Sequence, residues 1–250
     1  MIQAVIPTTG ASPAPARSWR RELTRWEALI EIQLQEQDRF LKASNDDFVE
    51  ALLTVSEGQR ERLVRDIRSL LRRNRLRAAG ELEFSLRGRY SRTMHDALSL
   101  FARQAKRIAA KETKSKAAPL SPKLSTRIEV ESKTTADLHA ARWKSQIVTD
   151  VIRHVAGGRT TIEALTAARE ALAERALADL KSTASITVTE IINDGRAEQF
   201  AAADLQGFQY SAILDDRTCD LCEELDGQTI PQGDERFERF NPPQHDYCRC

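Results

Sequence analysis

Apolar residues recur at three- and four-residue intervals along most of the chain and switch to alternate positions only after Gly207. The first pattern is that of helices with one buried stripe, the second that of a half-buried strand. In RWEALIEIQLQEQDRFLKA the stripe is Trp26, Leu29, Ile30, Ile32 and Leu34, with charges between. In QRERLVRDIRSLLRRNRLRAAGELEF it is Leu63, Val64, Ile67, Leu70 and Leu71 on a strongly basic background. Such a stripe must bury itself against a partner helix or another subunit. Gly80 and Gly88 are the expected breaks, after which SRTMHDALSLFARQAKRIAAKETKSK resumes the period with Met94, Leu98, Phe101 and Ile108.

Near Lys114 the period fades. KSKAAPLSPKLSTRIEVESKTT is rich in Pro, Ser, Lys and Thr and reads as a linker over 114–135, with one short extended piece at RIEV. Helix returns at about Ala136, and DLHAARWKSQIVTDVIRHVAGG stops at Gly157 and Gly158. Thr160 and Glu163, three residues apart, open the next helix as a capping box. A further helix, SITVTEIINDGRAEQFAAADL, carries Ile186, Val188, Ile191, Ile192 and Phe200 and is expected to end at Gly207. FQYSAIL then alternates as a strand does, and LDGQTIP reads as a turn and a second strand. The expected fold is mainly α, closed by a small β-containing knob, and so α+β overall. Its expected parts are a flexible leader at 1–16, a basic helical segment at 17–113, the linker at 114–135, a helical bundle at 136–207 and the knob at 208–250.

The 250 residues suffice for one large domain or two small ones. No segment approaches the roughly 18 consecutive apolar residues of a membrane span, so no membrane partner is expected. The start, MIQAVIPTTGASPAPARSWRR, has no basic region before its short apolar patch and reads as a Pro/Ala-rich leader rather than a signal peptide. A cytosolic origin is the default. The formal net charge of +1 hides a polarity: residues 57–116 hold 17 Lys/Arg against 7 Asp/Glu, and residues 201–250 hold 4 against 11. Different partners or mutual packing would account for this, as would plain solvated helix faces. Within the basic run, Arg72, Arg73, Arg75 and Arg77 are candidate contacts to nucleic-acid phosphates or to an acidic partner protein.

All four cysteines fall at the C-terminal end, in the pattern C-x2-C-x22-H-x2-C-x-C: Cys219, Cys222, His245, Cys248 and Cys250. A C-x-x-C turn lets two thiolates face one ion, and a second cluster about two dozen residues later can complete a tetrahedral site. Five candidate ligands compete for four positions, and Pro242 and Pro243 stiffen the approach of the second cluster. The expectation is a structural Zn2+; disulfide pairs, disfavoured in a cytosolic protein, and thiols without a special role are the alternatives. The chain has no phosphate loop, no G-x-S-x-G, no G-x-G-x-x-G and no His-x-Glu, so neither a small-molecule substrate nor a catalytic site is expected. His95, His139 and His154 lie within helical patterns and read as surface or packing residues. Asp215 and Asp216 read as residues that shape the turn presenting Cys219.

The run YSAILDDRTCDLCEELDGQTI…FNPPQHDYCRC resembles the C-terminal signature of phage head-morphogenesis proteins, the Mu F-like minor head protein family. The matching residues are Asp215, Arg217, Cys219, Cys222, Leu225, Asp226, Gly227, Pro242, Pro243, His245, Cys248, Arg249 and Cys250. A preceding helix carries Thr189, Glu190, Asn193 and Arg196, similar to the family's TE…N.GR-like helix. The resemblance covers about residues 140–250; residues 1–135 resemble nothing we can name. It implies a minor virion component, made in the bacterial cytoplasm, that acts in procapsid assembly beside the portal and accompanies DNA packaging or ejection. Portal and capsid proteins, and phage DNA through the basic helices, are the implied partners. The alternative is a zinc-containing nuclease or a transferase-associated phage protein, although His245 reads as a ligand and leaves no evident general base. Family members commonly continue past the final C-R-C, where this sequence stops, which leaves the ligand set open.

Overall fold

The computed structural model describes residues 2–4, 16–73, 75–203, 207–210, 212, 218–231, 234 and 236. In chain order these form β1 (Ile2–Ala4), α1 (Ala16–Arg72), a 3-10 turn (Leu76–Glu81), α2 (Arg89–Glu112), α3 (Pro122–Ala156) and α4 (Thr161–Thr183). A π-helical turn (Ala184–Val188), α5 (Thr189–Ala201), β2 (Gly207–Tyr210), α6 (Asp220–Leu225) and β3 (Thr229–Pro231) follow. The described chain is mainly α, as the periodicity predicts.

Several helix ends follow directly from local chemistry. Gly88, at a φ of 90°, precedes α2 and its carbonyl accepts from the Arg92 amide at 3.0 Å. Gly158, at a φ of 85°, ends α3. Its amide bonds to the Val155 carbonyl and the Arg159 amide to the His154 carbonyl, the paired pattern that a left-handed glycine allows. At the start of α4 the Thr160 hydroxyl accepts from the Glu163 amide while the Glu163 carboxylate accepts from the Thr160 amide, completing the expected capping box.

Four sequence expectations meet a different structure. The linker expected over 114–135 is irregular only to Ser121; Pro122 opens α3, and RIEV is helical. The Ser121 hydroxyl accepts from the Leu124 amide at 3.0 Å and Pro122 occupies the first helical turn, where its missing N–H costs nothing. Helix α5 ends at Ala201, and Gly207 starts β2 instead of capping the helix. A Cβ at Gly207 would stand 2.7 Å from the Ile230 carbonyl oxygen, so the close approach of β3 requires glycine there. Residues 2–4, expected in a flexible leader, pair antiparallel with β2, giving a three-stranded sheet in the order β1-β2-β3. The Cys219–Cys222 pair, expected in a turn, instead caps and enters a short helix.

The chain divides into two compact units. One comprises 47–99 and 125–184 and buries Phe48, Leu52, Leu63, Val64, Ile67, Met94 and Leu98, with Ile128, Ile147, Leu172 and Leu180. At its centre His139 stacks on Trp143, ring centroids 5.4 Å apart, and its two ring nitrogens meet the Tyr90 hydroxyl (2.6 Å) and the Thr183 hydroxyl (3.1 Å). The Trp143 indole and Arg142 both donate to Asp179 of α4.

The other unit comprises 1–46, 100–124 and 185–250. Here α5 presents one polar ladder. Arg196 donates to both oxygens of Glu112 at 3.1 and 3.0 Å, and Glu112 also accepts from Gln37. Glu198 accepts from Lys106 at 2.8 Å and from Ser121, and Gln199 bonds to Ala118, Ser115 and Lys116. Lys106 and Arg196 are buried, so each charge is satisfied by a carboxylate, as burial demands.

Candidate metal centre

The candidate site begins where β2 leaves the sheet. Cys219 caps α6 with φ −81° and ψ 153°, and its sulfur accepts from the Cys222 amide at 3.4 Å. Sulfur here does what a Ser or Asp oxygen usually does at a helix start, satisfying an amide with no partner inside the helix. Cys222, one turn on, is 1% exposed and packs with Tyr210 and Ala212, with Leu225 and Cys219 against them. The Tyr210 hydroxyl donates to the Cys222 sulfur at 3.4 Å.

Asp226 and Gly227, read from sequence as a turn and as part of the signature, fasten this corner. The Asp226 carboxylate accepts from the Ala212 amide at 2.7 Å, and Gly227, at a φ of 78°, donates its amide to the Tyr210 carbonyl at 2.9 Å. The Tyr210 amide bonds in turn to the Gln228 carbonyl at 2.8 Å. The left-handed glycine therefore reverses the chain from α6 into β3 while α6 stays tied to the end of β2.

His245, Cys248 and Cys250 lie outside the described residues, as do Asp215, Asp216, Arg217, Pro242, Pro243 and Arg249. Among the described residues no three His, Cys, Asp or Glu side chains come together in a group that could hold a metal. Cys219 and Cys222 fit half of a tetrahedral thiolate site: they stand at one helix start, and each sulfur accepts a hydrogen bond. Tyr210 escaped the sequence reading because an aromatic residue in an alternating run reads as ordinary strand core.

The candidate arginines occupy a separate place. Arg72 lies in the last turn of α1; Arg72, Arg73 and Arg75 are exposed, and Arg77 falls in the 3-10 turn. Arg72 is also well placed against the carbonyl end of the helix dipole. His139 is buried as a packing residue, and His95 lies half-buried beside the exposed Asp96.

Residues 145–250 match the model of a phage protein family. Its description is phage Mu protein F like protein, and the matched span includes α4, α5, the strands β2 and β3 and the whole Cys/His segment. The resemblance carried by the C-terminal motif is thus shown over these residues, and the family suggests a protein of phage head morphogenesis that interacts with other virion proteins. No curated protein and no solved structure matches the chain. Among the described residues no helix is long and apolar enough to cross a membrane.

Proposed function

We propose that the protein is a minor capsid component of a tailed phage or prophage. It acts at or near the portal in procapsid assembly, with a part in DNA packaging or ejection, and its role is structural rather than enzymatic. The observation that supports this reading is the family match over 145–250, which includes the C-x-x-C pair seated at the start of α6. In this reading a Zn2+ ion is held by Cys219 and Cys222 together with two of His245, Cys248 and Cys250. The ion supplies structural cross-linking: its binding free energy becomes folding free energy for a small knob with little apolar core of its own.

The test is made in the phage that encodes the chain. Mass spectrometry of purified procapsids should find the protein at low copy beside the major capsid protein, and disrupting its gene should leave aberrant or unfilled heads. Normal, infectious particles formed without the gene product would contradict the proposal. The exposed Arg72, Arg73 and Arg75, with Arg77, are proposed to contact acidic portal or capsid surfaces or phage DNA. Contact with DNA predicts sequence-independent binding that falls steeply between low and moderate salt and weakens when all four become Gln. Absence of binding at low salt would remove DNA from the list of partners.

A further inference from the structure

We infer that Tyr210 is a positioning residue for the metal, its hydroxyl directing a hydrogen bond at the Cys222 sulfur and so orienting that sulfur as a ligand. The inference rests on the zinc reading above and concerns a residue outside the Cys/His pattern.

Tyr210 is the last residue of β2 and is 1% exposed. Its backbone is fixed on both sides, by the Gln228 carbonyl and the Gly227 amide, and the Asp226–Ala212 bond closes the same corner two residues on. The ring therefore has a defined location rather than a choice of rotamers on a surface. It packs in the cluster formed with Ala212, Cys222, Cys219 and Leu225 and directs its hydroxyl at sulfur, 3.4 Å away. A buried phenol needs a hydrogen-bond partner. A neutral thiol is a weak acceptor and a thiolate a strong one, so the contact gains most when Cys222 carries charge.

Metal binding creates that charge. A zinc centre with three or four thiolates is net negative, and donors aimed at sulfur disperse that charge and orient the ligand. Among the described residues, the Cys222 amide donates to the Cys219 sulfur and the Tyr210 hydroxyl to the Cys222 sulfur. The first comes with any helix capped by cysteine. The second depends on the identity of one side chain, and Phe at that position would keep the packing while removing only the donor.

The experiment compares the full reduced chain with its Tyr210→Phe variant by Co2+ titration and Zn2+ competition. The variant should bind both ions about tenfold more weakly or worse. Its sulfur-to-cobalt charge-transfer band should move to longer wavelength, because a sulfur without its donor gives up an electron more readily. The far-ultraviolet circular dichroism of the loaded forms should coincide. Equal affinity and an unmoved band would overturn the role of Tyr210 while leaving the zinc site standing. A wild-type chain that takes up neither ion would overturn the zinc reading and this inference together. Should Tyr210→Phe not fold, the 113Cd-loaded wild-type chain decides the matter by NMR. Coupling from the metal through sulfur to the Tyr210 hydroxyl proton is expected, and its absence beside a detected Cys222 amide coupling would refute the contact.

Discussion

His139 is a case in which one side chain sets a pH response. Burial pushes its imidazole down to about 4 from the ordinary 6.5, with Asp179 pulling the other way and Arg142 adding to the fall. A neutral imidazole has one donor and one acceptor nitrogen, so one of the Tyr90 and Thr183 hydroxyls donates to it and the other accepts. Between pH 6.5 and 4 the unfolded chain binds a proton here that the folded chain does not. The stability from this group is therefore fully present above pH 6.5 and is lost progressively as pH falls toward 4. Between pH 7 and pH 4.5 the loss is on the order of 2 kcal/mol. Urea unfolding at the two pH values should show a drop of that size in the wild-type chain beyond whatever a His139→Phe variant shows. Equal drops in the two proteins would mean that His139 is not held neutral. From sequence this histidine read as a surface or packing residue; the structure makes it a packing one, and its partners come from three separate helical segments that carry no local signature.

At the level of elements, α5 and α2 come together closely enough to require a glycine. A Cβ on Gly195 would stand 2.8 Å from the Ala102 carbonyl oxygen and 3.3 Å from its Cα. Both are backbone atoms, so no rotamer change relieves the clash, and Gly195→Ala should cost roughly 2 kcal/mol in chemical or thermal unfolding. Gly58 lies within α1 with nothing inside 4 Å of the same construction, so Gly58→Ala should instead stabilise by about 0.5 kcal/mol or more. Two losses, or two neutral results, would contradict this reading of the helix contact. The same helices show where sequence patterns are informative. Apolar stripes such as Leu63, Val64 and Ile67 were legible because every buried position is aliphatic. The first half of α3 was not, since its buried face mixes Leu124 and Ile128 with Ser132, Thr135 and His139. Each of those polar groups finds a partner once folded: Ser132 with the Ile128 carbonyl, Thr135 with Glu131, and His139 with Tyr90. A pattern scored on hydropathy cannot see such satisfaction, although the Ser121–Pro122 start was available as a helix signal.

For the whole molecule, the two units draw on separated segments of the chain, an arrangement that periodicity read along the sequence cannot give. The small sheet shows the same limit: β2 and β3 were legible from alternation, whereas β1 comes from the opposite end of the chain. The candidate ligands were named from cysteine and histidine spacing, and of the five only Cys219 and Cys222 lie among the described residues. Tyr210 was legible only as a strand residue and Asp226–Gly227 only as a turn; their contacts arise when strand, short helix and turn meet. We propose that the C-terminal segment folds around one structural zinc. The most direct measurement is the metal content of the purified, reduced full chain, repeated with each of Cys219, Cys222, His245, Cys248 and Cys250 replaced in turn. About one zinc per chain is expected, lost on replacement of Cys219 or Cys222 and of two of the remaining three. Zinc near zero in the intact chain would contradict it.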